Sequence, residues 1–172
     1  MRYKLAYLLL FVLVAFSCIK EKPAEADLAV GDAIPDFEVT MNDGSIVTGQ
    51  KLRETPSCIV FFHTSCPDCQ QVLPVIQQLY DKYASKGVSF ALISREDEDP
   101  AVSAYWTENS FTLPYSAQST REIYNLFAQT RVPRVYISEK GGLIKAIYTD
   151  DPVPGFEELD RQIISVCGNG ME

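Results

Sequence analysis

Basic runs are missing from this chain. No segment clusters lysine and arginine, and the net charge at pH 7 is −8. That sets nucleic acid aside as a partner, because phosphate recognition needs grouped cations. Histidine is nearly missing as well, with His63 the single one, so no H-x-x-x-H pair can build a metal site. Neither a G-x-G-x-x-G nor a P-loop glycine pattern occurs, so no nucleotide cofactor is expected. There are no internal repeats and no low-complexity tracts. The longest charge-free apolar stretch, Leu5 to Phe16, would make a helix of about 18 Å against about 30 Å of bilayer hydrocarbon.

What is present fits one globular domain with short extras. The chain has 172 residues, 47% of them hydrophobic, with nine Phe, nine Tyr and one Trp to build a core. Arg2 and Lys4 precede the apolar stretch, and small Ser17 stands before Cys18, the pattern of a secretory signal. It resembles the lipobox of bacterial lipoproteins, in which the cysteine becomes the lipid-bearing N-terminus. Residues 1–17 are therefore expected to be a signal peptide and Cys18 the lipid attachment point. The domain would then be exported and held to a bacterial membrane, on the periplasmic side. A plain secretory signal cut nearby and an uncleaved anchor are the alternatives. Loss of residues 1–17 removes two cations and no acids, leaving −10. Residues 18–29 read as a polar tether and 30–172 as the domain.

Within the domain, "PDFEVTMNDGSIVTG" reads as two short strands around an Asn42-Asp43-Gly44 turn. "SCIVFF" (Ser57 to Phe62) is a continuous apolar run suited to a strand buried on both faces. From Pro67 to about Lys86 apolar residues recur at spacings of three and four, which predicts a helix with Gly87 as its cap and a kink from Pro74 near residue 70. "GVSFALIS" is a second buried strand. "REDEDP" reads as a solvated acidic loop leading into a helix that starts at Pro100 and carries Trp106 and Phe111 in its core. "STREIYNLFAQT" reads as another amphipathic helix, capped by Ser119 or Thr120. "RVYIS" and "LIKAIYT" form a strand–turn–strand, and a last helix spans about Gly155 to Val166. This order describes an α/β sheet with helices on both faces.

Cys66 and Cys69 carry the chemistry. A C-x-x-C can be a redox pair or half of a zinc site, but neither a second C-x-x-C nor a histidine pair completes the metal set. Cys66 falls at the strand-to-helix junction with Pro67 in the first turn, where unpaired N–H groups and the helix dipole favour a thiolate. Cys69, one turn on, is placed to close a disulfide with it. Cys66 is then the nucleophile and Cys69 the resolving thiol.

Strand, C-P-x-C, and a helix with Pro74 five residues past the second cysteine: this frame resembles thioredoxin. The likeness continues to Val132-Pro133, followed by strand, glycine turn and strand. The resemblance implies a thioredoxin-like fold with a central mixed β-sheet and helices on both faces. It also implies a cis Pro133 beside the dithiol, with the Val132 backbone pairing with substrate as an added strand. The N-terminal hairpin and the inserted helix-containing segment after "GVSFALIS" are similar to the TlpA/ResA branch, membrane-tethered extracytoplasmic thiol–disulfide oxidoreductases. The implied substrates are disulfide-bearing exported proteins, and the implied partner is a membrane electron donor.

Several positions depart from the family. Ser65 replaces the usual tryptophan before the first cysteine, and Phe62 stands where another is common. The buried acid expected six residues before Cys66 is Val60, and the glutamate of ResA-like proteins is Val72. Asp68, Glu108 or water is left to accept the Cys69 proton. Asp68 between the cysteines repels a thiolate and so argues for a reductant over an oxidant. His63 is either a strand-end residue or an imidazole close to the thiolate. Arg131 and Arg134, flanking Val132-Pro133, either orient acidic substrates or the thiolate, or form a solvated rim. Cys58 and Cys167 would both fall at the far end of a thioredoxin-like domain, where an exported location permits a disulfide.

Two competing functions are weaker. A peroxidase of this fold resembles P-x-x-x-T/S-x-x-C around its nucleophile, and neither cysteine frame here fits. A copper-delivering relative needs three residues between the cysteines and a distal histidine, both missing. A binding module with a non-catalytic disulfide is the remaining alternative.

Overall fold

The computed structural model describes residues 26–168. The expected signal peptide, Cys18 and most of the tether lie outside the described residues. Among those described, no helix is long and apolar enough to cross a membrane.

A two-stranded antiparallel hairpin, β1 (Glu38–Thr40) and β2 (Ile46–Thr48), comes first. It turns at Asp43-Gly44, where the Asp43 carboxylate accepts the Ser45 N–H and Gly44 takes φ +82. A short helix α1 (Gly49–Glu54) follows, its Thr48 hydroxyl capping the Lys51 N–H. The hydrophobic pattern had not marked this helix, since six residues give too little periodicity to see. The main sheet is then built from β3 (Ser57–Phe62), β4 (Ser89–Ser94), β5 (Tyr115–Ser116), β6 (Arg134–Ser138) and β7 (Ile144–Tyr148), in the order β5-β4-β3-β6-β7. β3 pairs parallel with β4, and β4 with β5. β6 and β7 run antiparallel. With helices α2 (Pro67–Tyr83), α3 (Asp99–Glu108), α4 (Glu122–Asn125) and α5 (Phe156–Cys167), this is the thioredoxin-like arrangement that the motifs imply.

β3 is the central strand and is buried at all six positions. Successive side chains of a strand point to opposite faces. Phe61 meets Tyr124, Phe127 and Tyr136, while Phe62 meets Trp106 of α3. Both faces of the sheet are therefore covered, and the end of β3 is fixed from either side. α2 buries Cys69, Val72, Leu73, Ile76, Leu79 and Tyr83, the stripe that its spacing predicts, and packs beside α5. It continues through Pro74 as one element.

Three expectations change. The stretch around Glu122 is a single helical turn, its first N–H donating to the Thr120 hydroxyl at 3.4 Å as the expected cap requires, because Tyr124 and Phe127 are drawn into the aromatic core. β5 is only two residues long, too short for any alternation to reveal it. Asp27 and Leu28, at the end of the stretch read as tether, are tied to the domain: Leu28 N–H donates to Phe127 O at 2.8 Å.

Gly49 sits where the chain leaves the hairpin for α1, and its N–H donates to Phe37 O at 3.0 Å. A Cβ there would lie 2.1 Å from the Pro35 carbonyl oxygen. Backbone cannot swing away as a side-chain tip can, so Gly49→Ala is expected to cost about 1–3 kcal/mol through overpacking. Urea denaturation of the two proteins measures it, and a shift below about 0.5 kcal/mol would show that the hairpin yields freely.

Candidate active site

β3 ends at Phe62 and α2 begins at Pro67, so His63 to Cys66 form the connection between the central strand and the first long helix. Pro67 opens α2, a position at which no backbone N–H is needed. Cys66 is the N-cap residue, with extended backbone at φ −84 and ψ 117. Its N–H donates to His63 O at 3.1 Å. Its sulfur accepts the Cys69 N–H at 3.3 Å, and its thiol donates to the Val132 carbonyl at 3.4 Å. The Val132–Pro133 peptide is cis, and both residues are buried. The two halves of the site meet on one sulfur atom.

Cys66 is half-buried, and Cys69 is fully buried. Burial pushes the Cys69 thiol well above its ordinary value, and the adjacent Cys66 adds to this. The His63 backbone and the Arg95 charge pull the other way and do not offset it. Cys58, Cys66, Cys69 and Cys167 are free cysteines in this structure. Cys58 and Cys167, considered above as a disulfide, are not bonded: Cys58 lies wholly inside the sheet, its thiol pushed up to about 12 by burial, and Cys167 is half-buried. Val60 and Val72 are buried apolar residues, as their places in β3 and α2 require. Glu108 is exposed at the end of α3, and Asp68 is half-buried in the first turn of α2, where it accepts from Gln71 Nε2 at 3.4 Å.

The His63 ring is engaged by Ser65 and Asp97. Its Nδ1 accepts the Ser65 N–H at 3.2 Å, lies 3.0 Å from Ser65 Oγ, and stands 3.7 Å from Asp97 Oδ2. Asp97 corrects the expectation for "REDEDP". It is 5% exposed rather than solvated, and its carboxylate accepts the Thr64 N–H at 2.7 Å. It thus fastens the connection between β3 and α2 from outside that connection. Periodicity offered no signal for it, because one buried acid in a run of exposed ones looks like its neighbours.

The arginines beside Pro133 differ from each other. Arg134 is 8% exposed and pairs with Asp27 at 2.5 Å, a residue 107 positions away in sequence. It is a structural tie, neither a rim nor an orienting group. Arg131 is exposed, held at φ +70, with Asp150 3.4 Å away. Sequence reasoning also missed Tyr124, whose hydroxyl donates to the carbonyls of Thr130 and Arg131 and so holds the loop that presents Val132. Its signal was its aromatic neighbourhood, which only the fold assembles.

The sequence profile of the AhpC/TSA family matches residues 30–147. The chain is 28% identical to the thiol-disulfide oxidoreductase ResA of Oceanobacillus iheyensis over 159 residues, 90% of this chain and 80% of that one. A thiol:disulfide interchange protein of the thioredoxin family from Chlorobium tepidum superposes with a TM-score of 0.70 at 22% identity, covering 83% of this chain and all of that one. StoA from Bacillus subtilis gives 0.66 at 18% identity, over 76% and 98%. Such similarity shows a shared fold.

Two outcomes are expected from this geometry. Removing the Tyr124 hydroxyl leaves the Arg131 carbonyl without its donor, so Tyr124→Phe should lose about 1–2 kcal/mol in urea denaturation; unchanged stability would mean that the loop is held by other bonds. A raised Cys69 thiol stays protonated at neutral pH. Its attack on a mixed disulfide at Cys66 should therefore quicken about tenfold per pH unit on the acid side of its titration. Quenched-flow trapping between pH 6 and 9 reads this rate, and a flat profile would place the proton elsewhere.

Proposed function

The chain belongs to the AhpC/TSA family, its site is that of a thiol–disulfide oxidoreductase, and we propose that it works as a reductant of disulfides in exported proteins. Cys66 attacks a substrate sulfur, and the displaced substrate thiolate leaves with a proton from solvent. Cys69, after losing its proton, attacks Cys66, releases the second substrate sulfur as a thiol and leaves the Cys66–Cys69 disulfide. Two electrons pass from the protein to the substrate. The observation that carries this is the asymmetry of the pair: a half-exposed Cys66 sulfur bonded to a helix N–H, and a fully buried Cys69 one turn behind it.

The direction is supported by Asp68. Placed between the two cysteines, it brings no positive charge to stabilise the reduced pair, the feature that makes a dithiol strongly oxidising. A membrane electron donor completes the cycle in this proposal, with Cys18 as a lipid anchor. Asp27 supports that placement, because its bond to Arg134 puts the chain's entry into the domain next to Pro133. Asp27 stands nine positions after Cys18, at most about 32 Å of extended chain. An anchor there would hold the dithiol near the membrane surface.

The Cys69→Ser variant of the full chain should accumulate a mixed disulfide between Cys66 and a peptide substrate, while Cys66→Ser forms none. Equilibration with glutathione should place the pair near −270 mV, the value of a reductant. A potential above about −180 mV would reverse the direction. Faster oxidation by hydrogen peroxide than by a peptide disulfide would favour a peroxidase instead.

A further inference from the structure

Two arginines, one just after β4 and one just before α4, are left unused by the exchange reaction. Arg95 follows β4 directly, its N–H donating to Phe62 O at 2.8 Å, and Arg121 precedes α4. Their guanidinium carbons lie 5.3 and 5.5 Å from the centre of the Tyr124 ring. The same oxygen of Glu96 stands 3.8 Å from Arg95 Nε and 3.7 Å from Arg121 Nη1. Those are ion-pair distances, too long for hydrogen bonds. The Nε atoms of both arginines are buried without an acceptor. Arg121 does donate to the Gln129 carbonyl. The Arg95 guanidinium, its side chain only 20% exposed, has the Tyr124 hydroxyl as a side-chain hydrogen-bond partner and no carboxylate at hydrogen-bond distance among the described residues.

Buried N–H groups without acceptors are costly, and a planar guanidinium is matched best by a carboxylate. Here two cations share one carboxylate that neither of them bonds. Glu96 itself is half-exposed and held in left-handed backbone, φ +58, on the loop after β4. The other two arginines of this end each have a carboxylate of their own, Arg131 with Asp150 and Arg134 with Asp27. Among these four arginines, Arg95 and Arg121 have one carboxylate between them within the described residues.

The pair is coupled to the dithiol through Tyr124. The ring that carries both guanidinium groups sends its hydroxyl to the Arg131 carbonyl, and the next carbonyl, that of Val132, receives the Cys66 thiol. The Arg95 charge also acts on Cys69.

We propose that Arg95 and Arg121, linked to Cys66 through Tyr124 and the Arg131–Val132 carbonyls, form a carboxylate-receiving site that docks an aspartate or glutamate of the substrate close to its disulfide, with Glu96 occupying the site between turnovers. The inference rests on the oxidoreductase function and narrows its substrate class to disulfides flanked by acidic residues. The surrounding charge sharpens the choice. On a net acidic domain an acidic substrate gains attraction only when its carboxylate lands on this pair, so the site gives discrimination rather than general affinity.

The test uses the reduced full chain and three peptides that share one intramolecular disulfide and differ in one flanking residue, Glu, Gln or Lys. The Glu peptide should be reduced about five- to tenfold faster than the Gln peptide, and the Lys peptide more slowly than either. In Arg95→Gln and in Arg121→Gln the Glu-to-Gln ratio should fall towards one. In Glu96→Gln, which clears the site, it should rise. Raising the salt concentration should shrink the wild-type ratio. A ratio near one in the wild type, or one unchanged in both arginine variants, would overturn the proposal and leave the oxidoreductase function standing. Failure to reduce any of the three peptides would overturn both. Should one arginine variant not fold, as judged by circular dichroism, the other and Glu96→Gln decide.

Discussion

Cys66 Sγ is bonded to two parts of the chain at once, the N–H three residues ahead in α2 and the Val132 carbonyl 66 residues further on. Much of the structure serves to keep that sulfur where both bonds can form. β3 must end at a fixed height, which its six buried residues and the rings packed on Phe61 and Phe62 ensure. α2 must begin at once, which Pro67 favours by fixing its own backbone. The loop around cis Pro133 must arrive from the other side, and the Tyr124 hydroxyl and the Arg134–Asp27 pair hold it there. Remove the sulfur and these elements still pack; remove the elements and the sulfur has no defined partner.

The polar fastening of this site is unusually indirect. Val60 and Val72 stand at places where an acid would approach the cysteines, and both lie in the apolar core. The nearby buried acid of this chain, Asp97, grips the Thr64 N–H and faces His63 instead. Its charge is thereby spent on the backbone of the connection, which fixes the geometry of Cys66 without offering Cys69 a proton acceptor. A carboxylate that positions and one that transfers protons are different devices, even at similar places in a fold.

How much of this was legible in the sequence follows from the range over which each signal acts. C-P-x-C after a buried strand, the stripe from Cys69 to Tyr83 and Val132-Pro133 are local patterns, and each falls where its element lies. β5, two residues long, and α1, six, are shorter than the window in which periodicity can be seen. Arg134 reads as a rim residue until Asp27, far away in sequence, arrives to bury it. Asp97 reads as solvated because its neighbours are. Tyr124 looks like half of an amphipathic helix, yet its hydroxyl matters more than its helix, which is a single turn. In each case the missing information is a contact between distant segments, which no local pattern carries.

The charge of the domain then acquires a finer meaning. A net of −8 over the whole chain suggests only solubility, yet at the end of the sheet that bears the dithiol four arginines, 95, 121, 131 and 134, gather around one loop. Two are matched by acids of their own and two are not. Net charge is a sum over the surface and falls off within a Debye length, roughly 8 Å at physiological salt. An approaching chain therefore meets the average at a distance and the arginine pair only on contact. Long-range repulsion combined with short-range attraction slows encounters of every acidic protein but rewards those that place a carboxylate beside their disulfide. A dithiol able to react with any exposed disulfide needs such a filter, because its own chemistry supplies none.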